Sequence, residues 1–536
     1  AREALIVRAD CPRHMERLRE WLGTTSMPLT AHNASFDIRV LVNAAIAGHK
    51  ALWDRMIDTY ILDVLMRPGD GWTRPEHGLK PATAAWCGGG ATAADAKEGM
   101  QRWWRGLGLK TETAGWRECP ADGLPYLLYG AADVFDGVTL AGTLLPLVDS
   151  MLGRDVRERE HTIARLVHGI TMRGLRVDVE AAAAAAESAE VDVEALRDRL
   201  TSRYGVANPA SNPQVQSWFA RVLGAAPIST SAEELLALDL DGEPAAFRSD
   251  LLAWRERGKL LSTYLRMLAA TPADADGAHR LHPTFGTLDA RTGRFASRDP
   301  NVQNFPADMR KFVVAEPGMT LIDADFSAVE VRIAAAFAED AALTETFRSG
   351  GDPYAAAAEA AWGAAPDAAT AKANRTRAKP LLLGHIYGRG PKKIATALGI
   401  TIAEARVLQQ RMTAAMPDMP RYIAAARGTA AGGDGATRIT GGRVVQVHPC
   451  TQFNSSVNSI VQGSGRELLV DALLALEAAG LGDSLWLPVH DEWVLQVPES
   501  DADALCALLA EAMTRQVGAV PIVAEAKVMG REWQKL

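Results

Sequence analysis

Two acidic clusters and one basic helix carry the chemistry legible in this chain. Over Thr320–Phe326 apolar and polar residues alternate as in a strand. Residues i and i+2 of a strand share a face, so Asp323 and Asp325 point the same way. A helical pattern follows at once (Val329, Ile333, Ala336, Phe337), which sets Asp325 at the end of a strand just before a helix. A carboxylate there, with its neighbour's backbone carbonyl, can hold a divalent metal. The second cluster is His490-Asp491-Glu492, flanked by apolar runs over 485–498. It reads as a β-hairpin with acidic residues at or near its tip. Two such carboxylates brought together could bind a pair of Mg²⁺ ions about 3.5–4 Å apart, one activating a 3′-hydroxyl and the other holding a triphosphate. Mg²⁺ takes oxygen ligands and leaves positions open for substrate phosphates. Taken singly, each cluster reads equally well as solvated turn residues.

The basic helix is predicted over Asn374–Gly388, where Arg375, Lys379, Leu383 and Tyr387 recur every four residues. Each such step rotates about 40° past a full turn, so the four form a slowly spiralling stripe about 18 Å long. Cations at its first two positions suit phosphates. An apolar residue and an aromatic ring at the last two suit a sugar and a base. An ordinary amphipathic helix with exposed cations is the plain alternative. Pro380 falls in mid-stripe, where a missing backbone donor predicts a kink.

These elements must be positioned by a chain of 536 residues, which suggests about three or four structural units. The first 150 residues mix short apolar runs with Gly/Pro breaks and read as α/β. Residues 151–285 read as mostly helical, with strong helix formers at Ala181–Ala186 and a loop at Asn208–Pro213. Residues 286–536 alternate strands and helices and hold most of the chemistry. The net charge of -8 argues weakly against nucleic-acid binding, although a basic cleft can sit inside an acidic protein. Five scattered cysteines without a CxxC pair argue against zinc and disulfides and fit a reducing cytosol. No run of about 18 apolar residues is free of charge, so no membrane span is expected.

Together the segments resemble family A DNA polymerases, the polymerase I type. DFSAVEVR (325–332) resembles motif A, RTRAKPLLLGHIYG (375–388) motif B and VHDE (489–492) motif C. TGRFASRDPNVQNFP (292–306), Asn458-x3-Gln462-Gly463, KLLSTY (259–264) and the C-terminal VPIVAEAKVMGREW match in order as well. The resemblance implies a right-hand fold of palm, fingers and thumb: 151–285 thumb and palm approach, 286–340 palm, 341–430 fingers, 431–536 palm. It implies that Asp325, Asp491 and the carbonyl of Phe326 bind two Mg²⁺ ions, with Glu492 as a further catalytic acid. Arg375 and Lys379 would grip the triphosphate, and Lys379 could protonate pyrophosphate. Leu383, Tyr387 and Glu330 would line the nucleotide. Arg294, Asn458, Gln462 and His490 would contact primer-template DNA. Leu383 departs from the usual aromatic residue, and Asp352-Pro353-Tyr354 stands where Asp-Ile-His is common.

Residues 1–150 resemble an RNase H-like 3′-5′ exonuclease domain. His32–Asp37 is similar to its second motif and Tyr129-x3-Asp133 to its third, so Asp37, Tyr129 and Asp133 are its candidate residues. An Asp-x-Glu first motif does not stand before Asn33, and the proofreading site is expected to be incomplete. The alternatives are a single-subunit RNA polymerase, disfavoured by Glu330 and Glu492, a free-standing exonuclease and a non-catalytic DNA-binding remnant. The expected protein is a monomeric, cytoplasmic polymerase acting on dNTPs and primer-template DNA, phage-like by analogy.

Overall fold

The computed structural model describes residues 5, 7–68, 76–88, 92–290, 292–431, 436–440, 443–446 and 452–534, of which 92–93, 429–431, 436–438, 446 and 452–455 through their backbone alone. At the N-terminal end, strands β1 (Leu29–Ala31) and β2 (Met56–Asp58) pair in parallel. Between them Asn33 adopts φ 63, a left-handed conformation that Asn tolerates better than most residues. The buried Asp58 carboxylate accepts the backbone N–H groups of Asn33, Ala34 and Tyr60, at 2.9 Å each. It thereby fixes the start of α1 (Ser35–Asn43) and caps α2 (Thr59–Met66). Helix α3 (Leu79–Cys87) packs on α4 (Leu124–Met151).

Among the described residues α4 alone is long and apolar enough to cross a membrane, although it holds no charge-free run of 18 residues. Its 28 residues carry Asp133, Asp136 and Asp149 at wide spacing. One face, through Leu140, Leu144 and Val148, is fully buried in the core of the N-terminal unit.

Helix α5 (Arg154–Arg173) joins this unit to the rest. Beyond it α6 (Val179–Tyr204) and α7 (Gly242–Lys259) pack together. Tyr204, Trp218, Phe219 and Phe247 form a small aromatic core of their own at one end of this pair. Lys259–Tyr264, expected as the approach to the palm, overlaps a π-helical turn at Leu260–Leu265.

The central sheet has four strands in the order β4 (Leu485–Val489), β5 (Glu492–Pro498), β3 (Met319–Phe326), β6 (Ala524–Gly530), all antiparallel. Strand β3 is buried on both faces rather than one, with the helix Ala502–Met513 packed against it. Asp323 therefore lies in the interior, near Cys506 of the helix Ala502–Met513, and does not line a cleft with Asp325. Helix α8 (Val329–Ala338) follows β3 directly. Helices α9 (Pro353–Trp362) and α10 (Ala368–Ile386) form a wall opposite the sheet. The expected kink does not end α10, which runs on past Pro380. Leu381 and Leu382, both 0 % exposed, anchor the turn where one backbone bond is lost. Helix α11 (Gln452–Ala478) packs behind the hairpin tip.

Candidate active sites

The first site is built where β3 ends beside the β4–β5 hairpin. Val489 pairs with Glu492, which leaves His490 and Asp491 as a two-residue turn, His490 at φ 56. Glu492 stands opposite Asp325 in the β5–β3 ladder, and the Phe326 N–H donates to the Asp491 carbonyl at 3.3 Å. These main-chain contacts bring Asp325 and Asp491 to one edge of a cleft of ≈ 730 Å³. Glu492 is buried and lies outside the cleft lining. Burial pushes the Asp491 carboxyl above its ordinary range; Arg294 opposes that shift, and Glu330 and Asp325 add to it.

A hydrogen-bonded path crosses the cleft. Arg294 donates to Asp491 at 2.9 and 3.1 Å and to Glu330 at 3.2 Å. Tyr387 donates its hydroxyl to Glu330 at 2.5 Å. Burial, and then the charge of Glu330, hold that phenol protonated well above its usual range. Arg375, Lys379 and Leu383 line the opposite wall on α10, while Tyr387 caps the helix and reaches the site through Glu330. Arg375 pairs with Asp352, and the Tyr354 ring lies 5.6 Å from its guanidinium and 5.8 Å from the Lys379 ammonium. Tyr354 thus joins the cleft where a histidine is common. Asn458 and Gln462 lie half-buried one turn apart on α11, away from the cleft lining, and His490 is exposed at the hairpin tip.

The second candidate site lies in the N-terminal unit. Asp37 is carried on α1, and Tyr129 and Asp133 on α4. Partial desolvation, with repulsion from Asp58 second, pushes the Asp37 carboxyl up to about 6, although the residue keeps an exposed face. Lys80 was not singled out from sequence. Its ammonium donates to Asp133 at 3.0 Å and to the Tyr129 hydroxyl at 3.2 Å, and sits 4.8 Å from the Tyr129 ring. A lone Lys before Pro81 carries no motif that would have marked it. Among the described residues no group of three or more His, Cys, Asp or Glu is placed to hold a metal by itself.

Fold and cleft define a right-hand nucleic-acid polymerase preceded by a 3′-5′ exonuclease domain. The family described as DNA polymerase family A matches residues 179–535, and that described as 3′-5′ exonuclease matches residues 1–149. The chain belongs to DNA polymerase family A and is a DNA-directed DNA polymerase. It is 27% identical to the DNA polymerase of Mycobacterium phage L5 over 528 residues, covering 95% of this chain and 84% of the relative. It is 30% identical to the thermostable DNA polymerase I of Thermus filiformis over 415 residues, 73% of this chain and 49% of that protein. A solved structure described as the POL domain of Pol1 from M. smegmatis in complex with DNA primer-template and dNTP has a similar fold. The TM-score is 0.76 at 23% identity, over 98% of this chain and 89% of that one.

Proposed function

We propose that this chain extends a primer 3′ end on a DNA template from dNTPs, using a pair of Mg²⁺ ions held by Asp325, Asp491 and the Phe326 carbonyl. The observation that carries this is the latch between the end of β3 and the hairpin tip, which sets two carboxylates across a cleft from Arg375 and Lys379. The donor set fits the metal: hard oxygens from two carboxylates and a carbonyl suit Mg²⁺, which keeps positions for substrate oxygens. Bound there, the ions would lower the pKa of the primer hydroxyl and neutralise the triphosphate. The protein's own part is binding and orientation. Arg375 and Lys379 take the phosphates, and Lys379 can give a proton to the departing pyrophosphate. Leu383 covers the sugar, and Tyr387, fixed by Glu330, closes the base side. Arg294, Asn458, Gln462 and His490 hold the primer and template. Glu330 and Glu492 favour deoxynucleotide chemistry over the RNA polymerase alternative.

The test is extension of a labelled primer by Asp325→Asn and Asp491→Asn variants, beside their primer-template affinity. Extension should fall by more than about 10³-fold while affinity stays within a few-fold, since phosphate contacts supply most of the binding. Ready extension by either variant would remove its carboxylate from the reaction.

The exonuclease domain is proposed to proofread weakly in this chain. Among the described residues Asp37 and Asp133 are the carboxylates of the two matching motifs, and Asp133 is engaged by Lys80. Removal of a mismatched 3′ end by the purified chain should be slow compared with extension. Rapid, Mg²⁺-dependent removal that is abolished by Asp133→Ala would contradict this.

A further inference from the structure

Arg294 reaches Asp491 and Glu330 from an irregular stretch rather than from a helix or strand, so something else must fix its backbone. The preceding turn rests on two guanidinium groups. Arg443 donates to the Thr292 carbonyl at 2.6 Å. Arg466, on α11, donates to the Gly293 carbonyl at 3.2 Å and to the Thr287 carbonyl at 3.4 Å. Gly293 has φ +79, and a Cβ added there would meet the Arg443 guanidinium at 2.4–2.6 Å. The turn therefore lies directly against that side chain.

Both arginines are held from behind. Arg466 makes a two-pronged pair with Glu160 of α5, at 2.8 and 2.6 Å. Glu467 accepts from Arg466 at 3.0 Å and from Arg443 at 2.9 Å, and pairs with Arg159 at 3.2 Å. The side chains of Arg466, Glu160 and Glu467 are at most 1% exposed, and that of Arg443 is 7% exposed. Burying so many charges adds little net stability compared with apolar packing. What a planar, forked donor does supply is a fixed direction for the carbonyls it holds.

We propose that Arg443 and Arg466, clamped by Glu160 and Glu467, are positioning residues for polymerisation: they set the Thr292–Gly293 turn and through it aim Arg294 at Asp491 and Glu330. Neither arginine lines the cleft, so neither touches the site directly. The inference rests on the assignment of Arg294 to the polymerase site made above.

The experiment is a double-mutant cycle in the full chain with Arg443→Lys, Arg294→Ala and the double variant. Single-turnover insertion on primer-template DNA gives kcat and KM for the dNTP, and thermal midpoint and primer-template affinity are measured alongside. Lysine at 443 keeps the charge but cannot reach Glu467 and Thr292 together. It should lower kcat about 10- to 100-fold with KM and thermal midpoint little changed, as expected for a displaced site residue. The double variant should be no slower than Arg294→Ala alone. Losses that multiply would show that Arg443 acts elsewhere, and parental kcat in Arg443→Lys would overturn the clamp outright. Parental activity in Arg294→Ala would instead overturn the reading of Arg294, a distinct outcome of the same cycle. Should Arg443→Lys fail to fold, Gly293→Ala displaces the turn from its other side without removing a charge and must give the same loss and the same non-additivity; parental kcat in it would overturn the clamp.

Discussion

Leu383 is the residue at which this cleft departs most plainly from an aromatic wall. It lies half-buried on α10 between Lys379 and Tyr387 and faces the cavity. An aliphatic side chain has no donor to replace the hydrogen bond lost when a nucleotide lacks its 3′-hydroxyl. The parent should therefore discriminate strongly against dideoxynucleotides. A neutral hydrogen bond is worth about 0.5–1.5 kcal/mol, so Leu383→Tyr should narrow that discrimination by up to about tenfold. Competing dideoxy and deoxy insertion measures it. Equal selectivity in parent and variant would mean that Leu383 does not face the sugar. Glu330 offers a second reading at this scale. It bonds both Tyr387 and Arg294, so Glu330→Ala frees two side chains at once. Ribonucleotide insertion should rise relative to deoxynucleotide insertion in that variant. Unchanged sugar choice would reduce Glu330 to a spacer.

At the scale of elements, the β3–α8 junction does the most demanding work. Ala328 adopts φ 49, ψ 40 between the strand that carries Asp325 and the helix that carries Glu330. A left-handed alanine costs about 1–2 kcal/mol, and a β-branched residue costs more. Ala328→Gly should leave the thermal midpoint unchanged or raise it, whereas Ala328→Val should destabilise by roughly 1–3 kcal/mol. A valine variant melting with the parent would refute the strained turn. The same elements show what the sequence could disclose. Strand, hairpin and helix were legible because their chemistry coincides with their periods: Asp325 at a strand end, Asp491 at a two-residue turn, Arg375, Lys379 and Leu383 every fourth residue. The burial of Asp323 could not be read, because alternation alone does not reveal that β3 is covered on both faces. The ion network under Arg294 was hidden for another reason. Its members come from positions 160, 443, 466 and 467, and no local pattern joins them. Lys80 escaped likewise, since only the packing of α3 on α4 brings it to Asp133.

Over the whole molecule, α5 is the piece that both halves share. Glu160 faces the polymerase through Arg466, and its neighbour His161 faces the exonuclease domain. His161 Nδ1 bonds the Arg157 carbonyl at 2.8 Å, and its Nε2 accepts the Asp58 N–H at 2.9 Å. Two turns on, His168 Nδ1 accepts the Trp53 indole N–H at 3.1 Å, with His49 beside it. Each ring spends a lone pair on an N–H donor, so protonation of that nitrogen breaks a contact across the seam. Burial, reinforced by His49 and Arg39, lowers His168 to about 3. Burial also lowers His49 to about 4 and holds His161 below its usual range. The unfolded chain takes up these protons near pH 6.5 while the folded one does not. Stability is therefore undiminished above about pH 6.5 and falls progressively as the pH drops towards 4, by on the order of 3 kcal/mol at pH 4 for His168 alone. The exonuclease domain should loosen from α5 before the polymerase core melts. Glutamine accepts an N–H through its Oε1 and does not titrate, so His168→Gln should flatten the acid profile between pH 6.5 and 4.5 while costing little at pH 7.5. Intrinsic tryptophan fluorescence, followed with the thermal midpoint at each pH, measures both. If parent and variant lose stability in parallel over that range, the seam is not held by neutral histidines.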